Sequence, residues 1–192
     1  MTIGILIVKL WQLPVNKERI IFMSYDIYIG NIEMRKAYQD EEYTEITEHS
    51  RIIDGKTVYF EPYVPEVRLE NAPTFPNDEM TGNSNNRHPG YSQWAEFCRK
   101  AGLYNLFFNE DGLMNEHPGH AALTQKHADV IQLALMRWEK IFPNSVPGFG
   151  GYCPTEGDDE VAYDGILARL LWLNFWVQWA VKNCENPAIY NF

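Results

Sequence analysis

The chain has few cysteines, a shortage of basic residues and no apolar run long enough to cross a bilayer. Its three cysteines, Cys98, Cys153 and Cys184, are far apart and form no CxxC pair, so neither a zinc knuckle nor a disulfide framework is signalled. Against 26 acidic residues stand 16 basic ones, a formal charge of −10. That balance argues against generic binding along a nucleic-acid backbone. A Gly-rich phosphate loop, a nucleophile elbow, an HExxH helix and a Cys/His nucleophile signature are all missing from the sequence. The expectations that follow are a cytoplasmic protein with no cofactor and no membrane partner.

What is present is a chain of 192 residues, 45% hydrophobic and 14% aromatic, enough for one globular domain with its own core. Its opening, residues 1–22, reads differently from the rest. The apolar stretch from Ile3 to Leu13 contains Lys9 and stops at Pro14, too short to span a membrane and without the basic start and small-residue cleavage site of a secretory signal. Lys17-Glu18 can be encoded by AAGGAG, the core of a bacterial ribosome-binding site, and Met23 follows after a short spacer. The expectation is a native start at Met23, with residues 1–22 a non-native or peripheral leader and residues 23–192 the domain. The alternative is that Ile3 to Leu13 is a real strand or helix.

From Met23, "MSYDIYIGN" alternates apolar and polar residues as a strand does. "TEITEHSRII" and "KTVYFEPYV" are joined by Asp54-Gly55, a two-residue hairpin signal. "PEVRLENAP" offers a further short strand. The second half changes period. Trp94, Phe97, Cys98 and Ala101 share a helix face over residues 92–101, with Ser92 as cap and Gly102 as stop. Ala128, Ile131, Leu135, Trp138 and Phe142 do so over residues 124–142, opened by Thr124 and closed by Pro143. The last helix, about residues 162–182, is apolar nearly all round except for a stripe of Asn174, Gln178 and Lys182, and therefore belongs at the centre of the fold. The predicted class is α+β: a small antiparallel sheet from the N-terminal half, packed against about three helices, with a Trp-rich central C-terminal helix.

Four places could carry chemistry. The polar segment "PNDEMTGNSNNRHPGYSQW" joins the β half to the helical half, and connections of this length are commonly functional. Asn83, Asn85, Asn86 and His88 can hydrogen-bond a ligand, Arg87 can grip a carboxylate or phosphate, and Tyr91 or Trp94 can stack on a ring. The competing reading is that Asn and Gly only build turns. Arg169, on the apolar side of the last helix, must find an acid, an aromatic face or an anionic ligand. Glu116, His117 and His120 supply metal-ligand types, but Pro118-Gly119 lies between the histidines and breaks the helical i, i+4 arrangement. Asp158, Asp159, Glu160 and Asp164 could hold a cation, and they equally suit the start of a helix.

At "MSYDIYIGN", "NAPTFPNDEMTGN" and the closing "NPAIYNF", the chain resembles small uncharacterised proteins of bacteriophages and bacteria. The resemblance implies an intracellular accessory protein, phage-encoded and acting in the bacterial host cytoplasm, and transfers no catalytic residue. The leading expectation is non-enzymatic binding of a small polar or anionic, nucleotide-like ligand by Asn83, Asn86, Arg87, His88, Tyr91, Trp94 and Arg169. One rival is a metal-assisted hydrolase using Glu116, His117, His120 and a remote acid such as Asp78. Another is an acidic protein-protein interaction module that inhibits a host factor. Six Trp and eleven Tyr are many for a small monomer to cover, so a homo-oligomer is also an expectation.

Overall fold

The computed structural model describes residues 24–37, 49–78, 82–150 and 162–192. The leader expected at residues 1–22 lies outside the described residues, as do the start of the "TEITEHSRII" strand and the acids Asp158, Asp159 and Glu160.

The architecture is α+β. Strand β1 (Ile27–Asn31) lies inside a four-stranded antiparallel sheet with β5 (Asn86–Arg87), β9 (Pro187–Asn191) and β6 (Gly119–Ala122), in the order β5-β1-β9-β6. Ile27 and Ile29 are fully buried on the face toward the helices, and Ile189 is buried opposite Ile29. The period-2 pattern of β1 thus does what alternation predicts. A second sheet, β2 (Glu33–Lys36), β4 (Lys56–Tyr63) and β3 (His49–Ile53), is built round the expected hairpin. Asp54 and Gly55 both have positive φ, 51° and 74°, as the turn type that matches strand twist requires. A short parallel pair, β7 (Val146–Pro147) and β8 (Tyr163–Asp164), completes the strands.

Among the described residues there are four helices, the last of which packs on the larger sheet. Helix α1 (Tyr91–Lys100) buries Trp94, Phe97 and Cys98, and α2 (Tyr104–Phe108) follows it. Between them Gly102 takes a φ of 71°, and Leu103 N–H reaches back to the Cys98 carbonyl at 2.7 Å, a closure that needs a left-handed residue at that point. Helix α3 (Gln125–Ile141) begins after Thr124, whose N–H donates to His127 Nδ1 at 3.3 Å. Helix α4 (Gly165–Asn183) is the centre, packed on α3 and on β1, with Trp172, Leu173, Trp176, Val177 and Ala180 all fully buried. Part of its polar stripe faces α3: Gln178 Nε2 donates to the Ala128 carbonyl and to Gln132 Oε1, each at 3.4 Å. Among the described residues, no helix is long and apolar enough to cross a membrane.

Several expectations need correction. Helix α1 starts at Tyr91 after Gly90, with no side-chain cap, so Ser92 lies within its first turn. "PEVRLENAP" forms one isolated bridge, Arg68 to Ser84, in place of a strand. The larger sheet also draws β6 and β9 from the helical half of the chain.

Asp164 resolves as a helix cap. Its Oδ1 accepts from Ile166 N and Leu167 N, both at 2.9 Å, and its Oδ2 accepts from Trp138 Nε1 at 2.7 Å. Burial raises its pKa, but the hydrogen bonds from Trp138, Leu167, Ser145 and Ile166 outweigh burial and hold it below the usual 3.8. Asp164→Ala is expected to cost about 1 kcal/mol, typical of a lost cap. A depressed carboxylate stabilises the fold fully above its unfolded value and ceases to do so as pH falls through the lower folded value. Chemical denaturation of the wild type should therefore show a loss of stability below about pH 3.8 that is smaller in Asp164→Ala.

Candidate functional site

The segment from Ser84 to Gly90 is held from three sides, and the way it is held decides which of its side chains remain for a ligand. Asn85 is fully buried. Its Oδ1 accepts from Val67 N at 2.8 Å, and its Nδ2 donates to the carbonyls of Ile29 and Pro65 at 2.9 and 3.0 Å. Asn83 Nδ2 donates to the Leu69 carbonyl at 3.0 Å, and Asn86 Oδ1 accepts from Ser84 Oγ. From the helical side, Trp172 Nε1 donates to the Ser84 carbonyl at 3.0 Å. The asparagines stand in for backbone partners, as Asn side chains readily do.

Arg87 points inward to the helices. It is 8% exposed, its Nη2 donates to Asp78 Oδ2 at 2.8 Å, its Nη1 donates to the Asn86 carbonyl at 2.9 Å, and its guanidinium lies 4.8 Å from the centre of the Trp172 ring. Burial pulls the Arg87 pKa down to about 10, with Asp78 acting to raise it and Arg169 to lower it further. Arg169 is the second guanidinium at this junction.

Those two side chains line one cavity of about 270 Å³, together with Asp78, His88, Trp94, Phe149 and Trp172, and Asn77 and Gln93 at its polar edge. Arg169 lies over the ring of Phe149 at 5.1 Å. Among the described residues it forms no salt bridge. Burial lowers its pKa, opposed by Asp78 and Glu96. Trp94 is 1% exposed, and its indole N–H is buried without an acceptor among the described residues.

His88 reaches the cavity from the strand side. The register that pairs Ile27 with Arg87 and Ser24 with Gly90 sets Asp26 across from His88, and Asp26 Oδ1 lies 2.5 Å from His88 Nδ1. An ionised carboxylate only accepts, so Nδ1 is the donor in this contact, and in a neutral imidazole the lone pair then sits on Nε2. Asp78, Asp26, Phe149 and Trp172 were absent from the ligand set drawn from the sequence. Only the strand register could have flagged Asp26, and Phe149 is marked at most as a ring between Gly148 and Gly150.

Of the residues singled out by sequence, Arg87, His88, Trp94 and Arg169 therefore meet at one cavity, whereas Asn83, Asn86 and Tyr91 do not line it. Tyr91 turns instead to Tyr25, ring centres 4.3 Å apart, and to His117, whose Nε2 its hydroxyl contacts. His117 Nδ1 lies 2.8 Å from Oδ1 of the buried Asn191. His120 is exposed on β6, and Glu116 is exposed on the turn before it. Among the described residues no three His, Cys, Asp or Glu side chains cluster as a metal ion would require. Cys98 is buried, and burial pushes its thiol pKa well up, the opposite of an activated nucleophile.

No protein-family model, no curated protein and no solved structure matches this chain.

Proposed function

We propose that the protein binds a small organic anion carrying one negative charge and a flat ring, in the cavity between the Ser84–Gly90 segment and α4. The observation that carries this reading is the pair of guanidiniums, Arg87 and Arg169, on one wall whose only carboxylate among the described residues is Asp78. In a protein of formal charge −10, two guanidiniums beside buried aromatic rings are a specific feature and not a reflection of composition. Arg87 is held by Asp78 and Trp172, so Arg169 supplies the charge that meets the ligand. The volume, about 270 Å³, falls near the lower end of ligand pockets and suits one ring with one charged head. The resemblance to small phage and bacterial proteins supports an accessory role in a host cytoplasm.

Calorimetry with cyclic nucleoside monophosphates and aromatic carboxylates, each singly charged, tests this directly. One of these classes should bind, doubly charged nucleoside monophosphates should bind less well, and Arg169→Ala should weaken the binding about tenfold or more, the scale of one charge-assisted contact. The melting temperature of Arg169→Ala should stay close to that of the wild type. Unaltered affinity in this variant would remove the cavity from the account.

A further inference from the structure

We infer that the cavity also hydrolyses its ligand when that ligand is a phosphodiester, with His88 as general base and Asp26 as the residue that positions it. The inference rests on the anion-binding reading and adds a reaction to it.

Three observations converge. First, His88 lines the same cavity as both guanidiniums. Second, Asp26 Oδ1 at 2.5 Å from Nδ1 orients the ring and stabilises the imidazolium that forms when Nε2 takes a proton, the arrangement by which a carboxylate supports a catalytic histidine. Third, His88 Nε2 makes no hydrogen bond among the described residues, so it is unspent.

The charge count chooses the substrate class. Arg87 and Arg169 on one wall suit an anionic phosphoryl group, and the Asp78 and Asp26 carboxylates that offset them disfavour a doubly charged monoester over a singly charged diester. As the phosphorus centre is attacked, negative charge accumulates on its non-bridging oxygens, where fixed guanidiniums are most effective. A water oxygen forms the new P–O bond while the P–O bond to the departing group breaks. The water proton passes to His88 Nε2 and from there to the departing oxygen or to solvent. The products are a phosphomonoester and an alcohol or phenol, and no oxidant or second substrate is needed.

The probe is methyl para-nitrophenyl phosphate, a singly charged diester with one ring whose cleavage releases coloured para-nitrophenolate. Turnover is measured in the presence of a chelator, which suppresses contaminating metal-dependent esterases, and binding of the same ester is measured by calorimetry. The wild type should release para-nitrophenolate. His88→Asn should lower kcat about 100-fold, within the range supplied by a general base, at unchanged Kd. Asp26→Asn, which alters no wall residue, should lower kcat about tenfold at unchanged KM, a split that a merely structural role would not produce. An ester that binds the wild type without turning over overturns the hydrolytic inference and leaves the binding reading standing. Failure of this ester and of all the singly charged anions to bind removes both. Turnover undiminished in His88→Asn also overturns the inference, by assigning the activity elsewhere.

Discussion

Asp78→Ala is expected to destabilise the protein by about 3–5 kcal/mol, the usual consequence of removing one partner from a buried ion pair. The side chains of Arg87 and Asp78 are only 9% and 7% exposed, so neither is a surface charge that water would absorb at little cost. Without Asp78, the raising influence on the Arg87 pKa is gone and the lowering ones, burial and then Arg169, remain. The guanidinium would stay stacked on Trp172 with its buried Asp78 ion pair lost, or leave that face and open the junction between β5 and α4. On a total stability of about 5–15 kcal/mol such a loss is easily seen in urea denaturation. The double variant Asp78→Leu with Arg87→Met should recover most of it, because an apolar replacement of a whole buried pair is often neutral. A single Asp78→Ala variant within about 1 kcal/mol of the wild type would show that cavity water solvates Arg87 adequately, and that the pair serves the ligand and not the fold.

The elements that could be read in the sequence are those whose side chains separate one face from another. The alternation of Ile27 and Ile29, the Asp54-Gly55 turn and the apolar face of α3 each mark an element by a period or a backbone requirement, and α4 is marked by length and near-uniform apolarity. The elements not read are those without such contrast. Strand β2, "EMRK", is exposed along its whole length and is held by main-chain pairing to β4, which leaves no hydrophobic signature. Strand β9 is five residues long and opens on Pro187, a position where the missing N–H is tolerated. Its neighbours on both sides, β1 and β6, lie far off in the chain, so only the assembled sheet shows it to be central.

The cavity was legible in part, for a related reason. Arg169 is conspicuous because a guanidinium on an apolar helix face needs explaining, and Arg87 because it stands in a long polar connection, so both are identified before any coordinates are known. The asparagines are ambiguous in principle, since the amide that would recognise a ligand is the same group that replaces a backbone partner. Sequence cannot rank those uses. The pairing of Asp26 with His88 depends on strand register, and the side of α1 that Tyr91 occupies depends on where that helix begins, two residues earlier than a Ser92 cap implies.

Asn85→Ala separates the two uses of the polar segment, and its expected effect is a loss of about 3 kcal/mol or more in stability. The substitution strips hydrogen-bond partners from the Val67 N–H and from the Ile29 and Pro65 carbonyls at once, and each buried group left unsatisfied costs about 1–3 kcal/mol. The Val67 N–H carries most of the penalty, because the Asn85 N–H continues to donate to the Val67 carbonyl at 3.0 Å while the amide facing it loses its acceptor. Asn85 lies two residues from Arg87 and does not line the cavity, so its effect on a ligand is indirect: the variant should unfold at markedly lower urea concentration yet, while folded, retain anion affinity within about threefold of the wild type, well under one lost contact. Arg169→Ala is expected to show the reverse pattern, weak binding on an intact fold. If Asn85→Ala kept its stability and lost its ligand, the asparagines would be recognition groups after all, and the division of this segment into an amide scaffold and a guanidinium site would have to be redrawn.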